Sequence, residues 1–94
     1  MEQMIELIME RNGCNRAQAA MISEDLGRLD PRLRPLLDAW ITDGKEDDDT
    51  LYEGYSVNSL KDGMHMRFTG ALLTLDWLLR DPQTARKALA RGVL

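Results

Sequence analysis

Phe68-Thr69-Gly70-Ala71-Leu72-Leu73-Thr74-Leu75-Asp76-Trp77-Leu78-Leu79-Arg80 is the most apolar run of the chain, and its reading decides the fold. Phe68, Ala71, Leu72, Leu75 and Leu79 fall at the spacing of one helical face. Leu73 and Trp77 form a second stripe. A helix that is apolar on two sides is either buried centrally or offers one side to a partner. Thr74 and Asp76 interrupt the run, which falls well short of the ~20 apolar residues needed to cross a bilayer.

Outward from this segment the same helical grammar repeats. Downstream, Asp81-Pro82 is a start signal, an N-cap carboxylate followed by a proline whose missing N–H is harmless there. A last short helix follows, with Ala85, Ala88 and Leu89 inward and Gly92 at its end. Upstream, Ser56 caps a short helix with Val57 and Leu60 inward, and Gly63 is expected to close it. Before that lies the acidic stretch Asp43–Glu53, whose net charge of −5 leaves the rest of the chain at +1. Like charges this dense repel, which predicts a solvated linker.

The N-terminal part reads as three helices. Met1, Met4, Ile5, Ile8 and Met9 share one face, and Gly13 ends that element. Asn15 with Gln18 makes a capping box for a second helix carrying Ala19, Ile22, Leu26 and Leu29. Asp30-Pro31 repeats the start signal, and Leu33, Leu36, Leu37, Trp40 and Ile41 repeat the helical template up to Gly44. Pro35 would break a helix running through it, so Asp30–Arg34 reads as a turn and the helix proper starts at Pro35. No alternating strand pattern is present. The expectation is an all-α fold, a small orthogonal helical bundle of about five helices with an acidic central loop. It forms a single domain over 1–94, divided into 1–42, 43–53 and 54–94.

Composition narrows the function classes. The formal net charge of −4 is unfavourable for non-specific nucleic-acid binding, which needs positive potential against phosphate. A lone cysteine, Cys14, allows no internal disulfide and points to a reducing compartment, so a cytoplasmic, non-exported protein is expected. His65 has no catalytic or metal-ligating partner in local sequence and reads as structural or exposed. Cys14 reads as core. The acidic run fails the calcium-loop pattern, because setting Gly44 at the required glycine puts Ala39 and Ile41 where carboxylates belong. Neither a cofactor, a metal nor an enzymatic activity is expected.

Gly13-Cys14-Asn15-Arg16-Ala17-Gln18-Ala19 is similar to the first loop and second-helix start of ubiquitin-associated domains, and the likeness extends over about residues 1–42. The resemblance implies a three-helix module that binds other proteins. That family carries a Met-Gly-aromatic loop, where this chain has Asn12-Gly13-Cys14.

The principal expectation is a non-enzymatic protein-interaction or regulatory accessory module. Its partner would be another protein or a second copy of the chain. The residues expected to carry binding are Leu73 and Trp77, together with the acids Asp47, Asp48 and Asp49. The alternative is a nucleic-acid-associated regulator touching phosphate through Arg28, Arg32, Arg34, Arg86, Lys87 and Arg91. It would be either a helix-turn-helix over Ser56–Arg80 or an inhibitor whose acidic segment mimics DNA. Base reading by Phe68–Arg80 is disfavoured because that helix offers Leu, Thr, Asp76 and Trp77 where Arg, Lys, Asn or Gln would be needed.

Overall fold

A computed structural model describes residues 2–91. Met1 and Gly92, read above as part of a helix face and as a helix end, lie outside them. The described residues form six α-helices: α1 (Glu2–Asn12), α2 (Arg16–Leu26), α3 (Arg34–Asp43), α4 (Val57–Met64), α5 (Phe68–Arg80) and α6 (Pro82–Arg91). A single 3₁₀ turn, Pro31–Leu33, leads into α3. The all-α expectation holds, with one helix more than about five.

Local signals explain most of the boundaries. The Asn15–Gln18 capping box is formed in both directions at the start of α2. The Asp30 carboxylate accepts the Arg32 N–H, and the proline-led turn that follows is 3₁₀. α3 begins at Arg34, one residue before the expected start, so Pro35 falls in the first turn, where its missing N–H costs no ladder bond. Gly44 ends α3 in the left-handed conformation (φ 69°).

Two further features differ from expectation. Gly63 does not close α4; the helix runs one residue further, and His65 takes the left-handed position (φ 55°), its N–H donating to the Leu60 carbonyl. Histidine is among the residues that tolerate this region. The acidic stretch is also less free than a solvated linker. The Asn58 N–H donates to the Asp48 carbonyl and the Asp48 N–H to Asn58 Oδ1, and Tyr52 and Tyr55 pair as an isolated antiparallel bridge. Between the tyrosines, Glu53 and Gly54 both have positive φ (54° and 89°), as a tight type I′ turn requires.

The buried apolar residues form one cluster drawn from both sides of this loop. Ile8, Leu26 and Trp40 come from the N-terminal side, and Leu60, Leu72, Leu78 and Leu89 from the C-terminal side. α5 is its centre, with Phe68, Thr69, Ala71, Leu72, Thr74, Leu75, Asp76 and Leu78 buried. Leu79, expected in the core stripe, is only half-buried, and Leu78 takes its place. The buried polar groups on α5 have hydrogen-bond partners. The Thr74 hydroxyl donates to the Gly70 carbonyl at 2.8 Å, and Thr69 accepts from Asn12 Nδ2 at 2.9 Å. The Asp76 carboxylate accepts the Asp30 N–H at 2.8 Å and pairs with Arg80 at 2.9 Å, which ties the turn before α3 to α5.

Candidate interaction surface

The residues of α5 that stay outside the core are Gly70, Leu73, Trp77, Leu79 and Arg80. Gly70, Leu73, Trp77 and Arg80 are spaced i, i+3, i+7 and i+10, so they share one side of the helix. Leu73 and Trp77 are half-buried and pack against the core on their inner edges. This is the second stripe of the sequence, and it is partly open.

α2 lies alongside. Its inward residues Ala19, Ser23 and Leu26 are buried, while Gln18, Met21 and Asp25 are exposed and Ile22 is half-buried. Between the two helices runs a groove made of two hollows, both lined by Asp25. The larger, of about 450 Å³, is lined by Cys14, Gln18, Met21, Ile22, Arg67 and Gly70, among others. The second, of about 330 Å³, is lined by Asp25, Arg28, Leu73, Asp76 and Arg80. Met21 stands 68% exposed at the groove's edge. Its signal was present in the sequence: a large apolar residue out of phase with the Ala19–Ile22–Leu26 stripe.

Exposed apolar side chains also occur elsewhere. Ile41 borders a trough of about 540 Å³ with Met4 and Leu7, rimmed by Glu2 and Gln3. Leu51 is 69% exposed in the loop between α3 and α4, among the acids.

The acids of that loop are mostly engaged within the molecule. Glu46 accepts the Trp40 indole N–H at 2.9 Å and the Lys61 ammonium at 3.0 Å. Burial raises the Glu46 pKa, but these two donors outweigh it and the net direction is downward. Asp48 accepts the Thr50 N–H at 2.9 Å, and Asp49 accepts Asn58 Nδ2 at 2.7 Å. Glu53 pairs with Arg86 at 2.9 Å. Asp47 is exposed and borders a shallow cavity with Lys45, Pro35 and Phe68. Of the three acids read as a docking site, Asp48 and Asp49 therefore fasten the loop to α4, and Asp47 faces out. Tyr52, beside them, has its hydroxyl pKa raised by burial and by the Asp48 charge, with Arg32 opposing.

The basic residues divide in the same way. Arg28 pairs with Glu24 and Asp25, Arg32 with Asp30, and Arg86 with Glu53. Arg32, through its hydrogen bonds, pulls the Asp30 carboxyl down to about 2. Arg34, Lys87 and Arg91 are exposed and make no ion pair among the described residues. The structure thus does not gather the six residues of the phosphate reading into one free basic face.

His65 is exposed at the end of α4. Cys14 is half-buried, with its thiol 4.0 Å from the Ile8 carbonyl oxygen. Among the described residues no group of three or more His, Cys, Asp or Glu is placed to hold a metal ion, and no helix is long and apolar enough to cross a membrane. Compared with known proteins, the chain matches no family, no curated protein and no solved structure, so the likeness of Gly13–Ala19 to ubiquitin-associated domains rests on its glycine-ended, capped hairpin alone.

Proposed function

We propose that the chain is a non-enzymatic protein-interaction module of accessory or regulatory kind, which meets its partner through the groove between α2 and α5. The observation that carries this reading is the apolar lining of an open groove. Met21 and Ile22 line its larger part together with Gly70, Leu73 lines the smaller part, and Trp77 continues the same side of α5. Apolar residues clustered within a polar rim mark contact surfaces, whereas single exposed ones do not. Aromatic residues such as Trp77 are favoured as anchors there. A cytoplasmic setting fits the free Cys14 thiol.

The nucleic-acid reading has less support. α5, which a helix-turn-helix would insert in the major groove, is the most buried element, and Arg28, Arg32 and Arg86 are held by carboxylates. Phosphate mimicry by the loop meets a similar obstacle, since Glu46, Asp48, Asp49 and Glu53 all have partners within the molecule.

The test compares the tagged full-length chain with Met21→Glu and with an Arg34→Ala/Lys87→Ala/Arg91→Ala triple variant, in pull-downs from host lysate with and without nuclease. Met21 is exposed, so its substitution leaves the core intact, as far-ultraviolet circular dichroism will confirm. A partner that survives nuclease, is lost with Met21→Glu and is kept by the triple variant supports the groove. Material lost with nuclease or with the triple variant, and indifferent to Met21, overturns it in favour of nucleic acid.

A further inference from the structure

From the chemistry of the groove's walls and ends we infer that its occupant is an amphipathic α-helix of a partner protein, carrying an acidic residue at the end that meets Arg67. This inference rests on the groove being the contact surface. It goes further by naming what the surface takes.

The walls determine the occupant's conformation. Both are α-helices, whose interior N–H and C=O groups are satisfied by their own ladders. An extended peptide laid between them would find almost no backbone partners and would leave its own amides unsatisfied as the groove dried. A helix brings its backbone bonds already made and presents side chains only, as in helix-in-groove recognition. The dimensions agree. From Arg67 to Arg80 the α5 wall is about 20 Å long, at 1.5 Å per residue, or between three and four turns of a bound helix. Of the apolar lining residues, Met21 and Ile22 border the larger part and Leu73 the smaller, so an i, i+4, i+7 stripe would have to rest across both.

The charges determine its polarity. The groove is lined by three arginines, Arg28, Arg67 and Arg80, against two aspartates, Asp25 and Asp76. Arg28 lies 3.3 Å from Asp25, and Arg80 lies 2.9 Å from Asp76. Arg67 is the arginine left over. It is exposed and makes no ion pair among the described residues. It is also the N-cap of α5, with no side-chain capping hydrogen bond, so the positive end of that helix's dipole adds to its charge. In a chain of net charge −4, the α2/α5 groove therefore ends in a local positive pole. A carboxylate on the occupant complements it.

The experiment uses the ¹⁵N-labelled full-length chain and two synthetic lactam-stapled helical peptides of equal length. Both carry leucines at i, i+4 and i+7, and they differ only in a terminal glutamate or lysine. Titration is followed by amide shifts and by fluorescence anisotropy. The glutamate peptide is expected to shift Met21, Ile22, Gly70 and Leu73 and to bind about two- to fivefold more tightly than the lysine peptide, the worth of one partly exposed ion pair. Arg67→Glu, on an exposed side chain with no ion pair among the described residues, is expected to reverse that preference. Equal binding of both peptides overturns the charge assignment. Shifts confined to Met4, Leu7 and Ile41 overturn the choice of groove. If neither peptide moves the groove amides while Met21→Glu still abolishes partner capture, the helical occupant is wrong and the interaction surface stands. If Met21→Glu leaves capture intact as well, both fall together.

Discussion

At the residue scale, the molecule places carboxylates where backbone or cationic donors await them. Asp30 and Glu46 are the two whose environment lowers their pKa. The cause for Asp30 is the hydrogen bonding from Arg32; for Glu46 it is the indole of Trp40 and the ammonium of Lys61, acting against burial. A carboxyl that is more acidic in the folded chain than in the unfolded one stabilises the fold while ionised. Its contribution is fully present above the ordinary carboxylate range and is lost as pH falls through that range towards the folded value, about 2 for Asp30. Stability should therefore decline from about pH 5 downward, the range over which unfolded carboxyls begin to take up protons. Asp30→Asn keeps an N-cap acceptor but removes the charge. Urea midpoints measured for this variant are expected to depend less on pH in that interval than those of the parent. An unchanged slope would mean that the Arg32 pairing adds nothing to stability in solution.

At the scale of elements, the helix ends show how far sequence reading reaches. The start of α2 at Asn15 and the end of α3 at Gly44 were legible because each signal is local: a side chain reaching its own first turn, and a glycine at positive φ. The end of α4 was not. Gly63 looked like the terminator, yet it is inside the helix and His65 adopts φ 55°. Tertiary packing decides between neighbouring positions here, since the half-buried Met64 and Met66 both pack against the core and one more residue of helix precedes the turn. The two readings predict opposite outcomes for Gly63→Ala. At a left-handed cap alanine would destabilise, but in a helix interior it should stabilise by roughly 0.5–1 kcal/mol. A Cβ at Gly63 would meet nothing within 4 Å, so no steric cost offsets the gain. A higher thermal midpoint for Gly63→Ala is expected, and a lower one would return the cap to Gly63.

At the scale of the whole molecule, the question left open by the sequence was whether the parts on either side of the acidic loop share a core. Charge density made Asp43–Glu53 read as a divider because local sequence shows like charges but not their partners. Those partners lie outside the stretch: Lys61 for Glu46, Asn58 for Asp49, and Arg86 for Glu53. The interaction groove was half legible for the same reason. The Leu73–Trp77 stripe follows from helical periodicity, but its opposite wall at Met21 and Ile22 depends on which helix α5 packs against. Trp40 joins the two sides most directly. It is fully buried, stacks on Phe68 with centroids 5.2 Å apart, lies 4.8 Å beneath the Arg11 guanidinium, and holds Glu46 through its indole N–H. Arg11 also donates to the Trp40 carbonyl. Residues from α1, α3, the loop and α5 thus meet around one ring, with Lys61 of α4 on the same Glu46, and no cut at the loop would leave either side a complete core. The chain should accordingly unfold as one cooperative unit. In urea, tryptophan fluorescence and far-ultraviolet circular dichroism are expected to report a single coincident transition. In Trp40→Ala, both probes should shift together to lower urea by about 3–5 kcal/mol of lost stability, or the chain should fail to fold. Two separated transitions in the parent chain would mean that the halves fold independently and that the loop is the divider its charge suggested.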